Sequence, residues 1–307
     1  MITARYAAPS ARTSWLASLL AALVLAACAT QPGAPDVALE ELFTAEGGFA
    51  RDATEHGIRA AFLEHFAVDG IDFRPGPGVM RERMLARPAP ADPLALILDW
   101  SPQAGAVARA ADLGYTMGPY SLANARDAHA PTRYGYYCSV WKRDNGVWRV
   151  AVDAGVATPS APAPGSLGVA SDAAARTPGL LFASLGARGK EALLALERTG
   201  RSLDPDPADG PSYFDLLAGS VRILRDGSFA LVGADAARKA LSATGRRVVW
   251  TPADAGASAS DDLGYTYGRY VRFVGSAEES SGYYVHVWQR DAAGAWRIAA
   301  EVQLPPE

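Results

Sequence analysis

Residues 112–120 read Asp-Leu-Gly-Tyr-Thr-Met-Gly-Pro-Tyr, and residues 262–270 read Asp-Leu-Gly-Tyr-Thr-Tyr-Gly-Arg-Tyr, 150 positions later. Upstream, Trp100-Ser101-Pro102 answers to Trp250-Thr251-Pro252 at the same spacing. Downstream, Gly135-Tyr136-Tyr137 with Trp141, Arg143 and Asp144 answers to Gly282-Tyr283-Tyr284 with Trp288, Arg290 and Asp291, and Trp148-Arg149 answers to Trp296-Arg297. The match runs through about 50 residues of each half, so the chain reads as two copies of one domain. The first copy is expected at 36–156 and the second at 177–304, joined by a Pro-, Ala-, Ser- and Gly-rich linker at 157–176. A composition of 49% apolar and 20% charged residues excludes a disordered or collagen-like chain and a polytopic membrane protein. A net charge of −4 offers no basic face for phosphates, so no nucleic-acid partner is expected.

The N-terminus has a targeting layout. Arg5 and Arg12 precede an apolar run from Trp15 to Ala27, which is too short to span a bilayer, and Leu25-Ala26-Ala27-Cys28 closes it. Those four residues resemble the bacterial lipobox. The resemblance implies that residues 1–27 are a signal peptide, that Cys28 is lipidated, and that 28–35 form a tether. With Ala29 after the cysteine, it also implies anchorage on the periplasmic face of the outer membrane. Cys138 is then the only other cysteine, which excludes an intrachain disulfide and a thiolate zinc site.

Within the first copy, apolar spacing predicts helices over Val37–Phe49 and Ile58–Phe66, the second capped by Thr54, and a short helix over Gly78–Ala86. From Leu94 onward the period changes to two. Strands are expected at 94–100, 106–110, 115–123, 134–143 and 147–153, with Asn145-Gly146 as a type I′ hairpin turn between the last two. Helices followed by a run of antiparallel strands define an α+β domain.

This order, with Trp100-Ser101-Pro102, Asp112-Leu113-Gly114-Tyr115-Thr116, Gly118 and the closing Gly-Tyr-Tyr…Trp-x-Arg-Asp-x-Gly-x-Trp-Arg-Val block, resembles the nuclear-transport-factor-2-like superfamily. More narrowly it resembles the branch of SnoaL-like proteins and the association domain of calmodulin-dependent kinase. The resemblance implies two tandem cone-shaped domains, each with N-terminal helices packed on a strongly curved antiparallel sheet around a pocket. It leaves function open, because the scaffold hosts isomerases, dehydratases, cyclases and binding domains. The superfamily's isomerases carry a base carboxylate just before a Pro after the second helix. Here Arg74 precedes Pro75, which counts against steroid-isomerase chemistry.

The repeat sorts the candidate residues. Tyr120, Tyr136, Tyr137 and Trp141 recur in the second copy and could line an aromatic pocket, or serve only as core wedges. Cys138 aligns with Val285 and reads as a small buried hydrophobe, and His286 reads as a pocket group or a satisfied surface histidine. Asp99, at the end of an apolar strand, is a candidate general base, with His56 as the alternative and the Tyr115 or Tyr136 hydroxyl as its partner. His56 and His65, nine residues apart on one helix, would face opposite sides, so no metal pair is expected there. Asp69 and Asp72 flank a turn near the expected rim. No cofactor is expected, since Gly76-Pro77-Gly78 lacks a strand-loop-helix context.

Two functions fit these readings. The first is a lipid-anchored binding or assembly protein that holds a small apolar or aromatic ligand and whose copies pack as an intramolecular pseudo-dimer. The second is a dehydratase, isomerase or cyclase using a pocket carboxylate or His with a Tyr hydroxyl.

Overall fold

The computed structural model describes residues 34–168, 170–171 and 186–306. The expected signal peptide and Cys28 lie outside the described residues, as do residues 172–185. Residues 34–307 form one compact unit. Among the described residues no helix is long and apolar enough to cross a membrane.

The first half opens with α1 (Ala34–His56) and α2 (Ile58–His65), continues through β1 (Phe66–Asp72), β2 (Gly78–Val79) and α3 (Met80–Ala86), and then runs as strands. These are β3 (Leu96–Trp100), β4 (Ala104–Val107), β5 (Leu113–Asn124), β6 (Arg133–Asp144), β7 (Val147–Thr158) and β8 (Ala170–Ser171). The second half contains α4 (Gly186–Glu197), β9 (Arg201–Ser202), a 3-10 turn (Tyr213–Leu216), β10 (Leu217–Arg225), β11 (Leu231–Val232) and α5 (Ala234–Leu241). It closes with β12 (Arg246–Ala257), β13 (Leu263–Val274), β14 (Ala277–Arg290) and β15 (Trp296–Leu304).

Two sheets result, with strand order β2-β1-β7-β6-β5-β4-β8 plus β3 on β5, and β11-β10-β15-β14-β13-β12-β9. The long strands pair antiparallel, while β1 joins β7 and β10 joins β15 in parallel. The fold class expected from the sequence, α+β with helices on curved antiparallel-rich sheets, is the one observed. The turn at Asn145-Gly146 has φ of 50° and 82°, as a type I′ turn requires.

Both faces of each sheet are buried, and strand alternation decides which side chain goes where. In β6, Tyr136, Cys138 and Val140 point to a layer shared with the other sheet, where Val285, Val287, Ala300 and Val302 meet them. Tyr137 and Trp141 point the other way, under α1, with Leu42, Phe49, Trp100 and Val150. The second half repeats the division: Tyr284 and Trp288 lie under its own helices with Leu193, Tyr213 and Trp250. The order through the molecule is helices, sheet, sheet, helices.

Three local expectations are corrected. Helix α1 runs through Gly47-Gly48 to His56, so Thr54 lies inside it and its hydroxyl donates back to the Arg51 carbonyl. The break comes at Gly57, whose φ of 90° only glycine adopts readily; it caps α2 without a side-chain hydrogen bond. Part of the expected linker is packed. Ala157 and Thr158 complete β7, and Leu167 is fully buried in the shared layer, its carbonyl accepting from Arg222 Nε at 2.8 Å.

Candidate functional site

Between α1, α2 and the inner face of the first sheet lies a cavity of about 530 Å³, within the usual range of small-molecule sites. Phe49, Phe62, Leu98, Trp100 and Tyr137 supply its apolar wall. Phe49 stands edge-on to Trp100 with ring centroids 4.8 Å apart, which holds that wall rigid. One side of the cavity is polar: Asp72, Arg74, Arg133, Ser139 and Asp153 from the first half, and Asp226 from the second.

The polar groups differ in how far they are engaged. Asp153 sits on β7 opposite Ser139 of β6, whose hydroxyl donates to Asp153 Oδ1 at 2.8 Å. Burial pushes the Asp153 carboxyl up to about 6, against the Ser139 hydrogen bond and the Arg74 charge. Asp72 is also raised by burial, opposed by Arg83, whose Nη1 donates to Asp72 Oδ1 at 2.7 Å. Asp226 Oδ1 accepts the Ala157 amide at 2.9 Å.

Beneath the cavity a second carboxyl is enclosed completely. Glu46 Oε1 accepts from Trp100 Nε1 at 2.5 Å, and Oε2 accepts from Thr116 Oγ1 at 2.5 Å and Trp141 Nε1 at 2.8 Å. Burial raises Glu46 to about 7 although all three hydrogen bonds favour its ionised form. Burial and the nearby Glu46 charge together push the Tyr137 hydroxyl well above its ordinary range.

The second half builds a different interior on the same scheme. Glu197 takes the place of Glu46 and accepts from Thr266, which in turn accepts from Trp288 Nε1 at 2.9 Å. Opposite one another on β14 and β15 are His286 and Glu301, where the first sheet has Ser139 and Asp153. His286 Nδ1 donates to Glu197 Oε1 at 2.8 Å and Nε2 to Glu301 Oε2 at 3.0 Å, and Tyr213 donates to the same Glu301 oxygen at 2.8 Å. Burial alone would lower His286, but Glu197 and Glu301 hold it up at about 9. Burial alone would raise Glu301, yet His286 and Arg225 bring it down to about 2. Packed rings and an ion cluster of Glu197, His286, Glu301 and Arg225 occupy this interior.

Of the residues expected at a site, Tyr120 and Tyr137 line the cavity. Trp141 is fully buried below it, tied to Glu46. The others are corrected. Tyr136 and Tyr115 are fully buried in the layer between the sheets, because their neighbours Tyr137 and Thr116 take the inward positions; the Tyr136 hydroxyl meets Ser166 Oγ at 2.8 Å. Asp99 is exposed on β3 opposite Ser121, which removes the desolvation a base there would need. His56 is 64% exposed and lies 3.8 Å from Asp52. His286 is completely buried between two glutamates, not at the surface.

The break at Gly57 also overturns the helical-wheel separation of His56 and His65, since both now approach Asp52, His65 at 2.6 Å. Asp52, Glu55 and His56 bring ligand-type atoms within 4.8 Å of one another at this largely exposed end of α1, with Asp52 already held by His65. Glu46 and Asp153 were missed. The signal for Glu46 was available: Leu42, Glu46, Phe49 and Ala53 follow helical spacing on one face, and three of the four are apolar.

No family model and no curated protein matches the chain. Solved structures are similar to it in fold. A protein of unknown function with a cystatin-like fold from Nostoc punctiforme is 16% identical, covers 40% of this chain and 92% of its own, and has a TM-score of 0.31. An NTF2-like protein of unknown function from Shewanella oneidensis is 14% identical over 38% of this chain and 97% of its own, with a TM-score of 0.31. An LEH-like epoxide hydrolase from M. tuberculosis is 13% identical over 38% of this chain and 77% of its own, with a TM-score of 0.28.

Proposed function

We propose that the chain is a lipid-anchored binding protein of the bacterial periplasm, made of two copies of one domain, in which the first copy holds a small organic molecule and the second is its closed companion. The observation that carries this reading is the cavity of about 530 Å³, apolar on one side and lined by Asp72, Arg74 and Asp153 on the other. The filled interior of the second half, with His286 locked between Glu197 and Glu301, supports the division of roles. The apolar layer between the sheets supports an intramolecular pseudo-dimer. Attachment through Cys28 to the outer membrane rests on the lipobox resemblance at Leu25–Cys28.

Native mass spectrometry of gently purified protein tests the binding role. A co-purifying small molecule that is lost on widening Trp100 and Tyr137 to Ala supports it. Protein that is empty as isolated and takes up no compound from a small-molecule library overturns it.

A catalytic reading is favoured by one observation, the Asp153 carboxyl raised to about 6 on the cavity wall. In that reading Asp153, in place of Asp99 or His56, moves a proton on the bound molecule. Asp153→Asn then abolishes turnover of the bound compound while keeping its affinity within a few-fold.

A further inference from the structure

The cavity rim carries two arginines whose guanidinium donors are not hydrogen-bonded within the described residues. Arg74 and Arg133 both line the cavity and both are exposed, and both charges bear on the Tyr120 hydroxyl, against those of Asp226 and Asp153. Neither guanidinium enters a side-chain hydrogen bond or an ion pair among the described residues. Each acid of the same wall is taken: Asp72 by Arg83, Asp226 by the Ala157 amide and Asp153 by the Ser139 hydroxyl. Arg83 shows what a satisfied arginine looks like here, with donors to Asp72 and to the Pro75 and Gly76 carbonyls. The free donors at the mouth are therefore cationic and fork-shaped, and the space behind them is aromatic. A guanidinium matches a carboxylate in a paired, planar geometry that an alcohol or amine cannot reproduce.

We propose that the ligand is a compact apolar carboxylate, its ring or hydrocarbon body against Phe49, Phe62 and Trp100 and its carboxylate held at the rim by Arg74 and Arg133. This rests on the binding reading above and specifies the ligand class of that same cavity.

The test uses the purified full chain at pH 7 and low salt, with 2-naphthoate, 2-naphthalenemethanol and 2-naphthylmethylamine as probes, titrated by calorimetry and by quenching of tryptophan emission. Naphthoate is expected to bind roughly tenfold more tightly than the alcohol. That advantage disappears in Arg74→Gln/Arg133→Gln, whose affinity for naphthoate falls to that for the alcohol while the alcohol itself loses no more than a few-fold. Both positions are exposed and unpaired, so the double variant keeps its fold, checked by its thermal midpoint. Equal affinity of naphthoate and alcohol, tighter binding of the amine, or an advantage that survives in the double variant overturns the anionic-head proposal alone. If none of the three probes binds at millimolar concentration, the proposal fails together with the binding reading.

Discussion

Asp112 and Asp262 each accept a backbone amide from the other half's loop: Asp262 Oδ2 takes the amide of Arg109 at 3.1 Å, and Asp112 Oδ2 takes the amide of Ala259 at 2.8 Å. Arg109 and Ala259 occupy the same place relative to those two aspartates in the two sequence repeats. The two contacts are reciprocal, each aspartate reaching the loop that precedes the other. Asp262 receives more, since Arg109 Nε also donates to Oδ2 at 2.9 Å.

Removing these carboxylates separates the two contributions. Asp262→Ala is expected to cost about 2 kcal/mol, and Asp112→Ala about 1 kcal/mol. Urea unfolding of the two variants checks the order. Equal and negligible losses would mean that the apolar layer alone holds the halves together.

The His286 cluster predicts a loss of stability at alkaline pH. With its folded value raised to about 9, His286 contributes stability that is complete below its ordinary value of 6.5 and is lost as pH rises through 9. Glu301, depressed to about 2, contributes stability that is complete above 4.5 and is lost only as pH falls through 2. Replacing His286 by Gln leaves the buried Glu197 without its paired cation and Glu301 with Arg225 alone, and is expected to cost about 3 kcal/mol near pH 6. The cost shrinks toward pH 10. A His286→Gln penalty that is flat from pH 6 to pH 10 would contradict an imidazolium at this position.

Glu46 acts with the sign of His286 and against that of Glu301. Its folded value of about 7 lies above the ordinary 4.5, so between those values the folded protein holds a proton that the unfolded chain has released. Stability from this group therefore falls as pH rises from about 4.5 to 7, by about 3 kcal/mol across the window. Glu46→Gln removes this slope and turns one acceptor oxygen into an amide NH2, leaving Trp141 Nε1 only its longer bond to Thr116 Oγ1 at 3.2 Å, so the variant is weaker than the parent at pH 4.5. Guanidinium midpoints of both proteins at pH 4.5, 6 and 8 decide it.

How far these features could be read beforehand depended on whether local rules settled them. Asn145-Gly146 forms its turn from residue type alone, and the alternation of β6 and β7 was legible as period two. The choice between Tyr136 and Tyr137 was not legible, because both faces of the sheet are apolar and alternation then names no inside. His56 and His65 were separated on an unbroken helix that Gly57 interrupts, and one such residue moved both rings toward Asp52. Nothing local singles out Asp153 at the end of the strand expected at 147–153, since only the tertiary arrangement brings Ser139 and Arg74 to it.

Gly118 tests the sheet's close approach. A β-carbon there would lie 1.9 Å from the Ser101 carbonyl oxygen, and the repeat-related Gly268 would bring one within 2.2 Å of the Thr251 carbonyl. Gly118→Ala is expected to destabilise by about 3 kcal/mol, because the obstacle is backbone and cannot turn away. Gly146→Ala faces open space and costs about 1 kcal/mol for its positive φ alone. Thermal midpoints that rank the two variants the other way would remove the steric argument.

The layer between the sheets also imposes an order in time. Strand β7 is complete at Thr158, but the strands that cover its outer face, β14 and β15, end at Arg290 and Leu304. On a chain delivered N-terminus first, the first sheet waits for its cover until the last strands have followed it. During that interval Tyr115, Tyr136, Val140 and Val152 present a sticky surface to whatever is nearby. Two halves translated as separate chains would have to find each other across the compartment, whereas the single chain keeps the late-arriving sheet tethered to the one that waits.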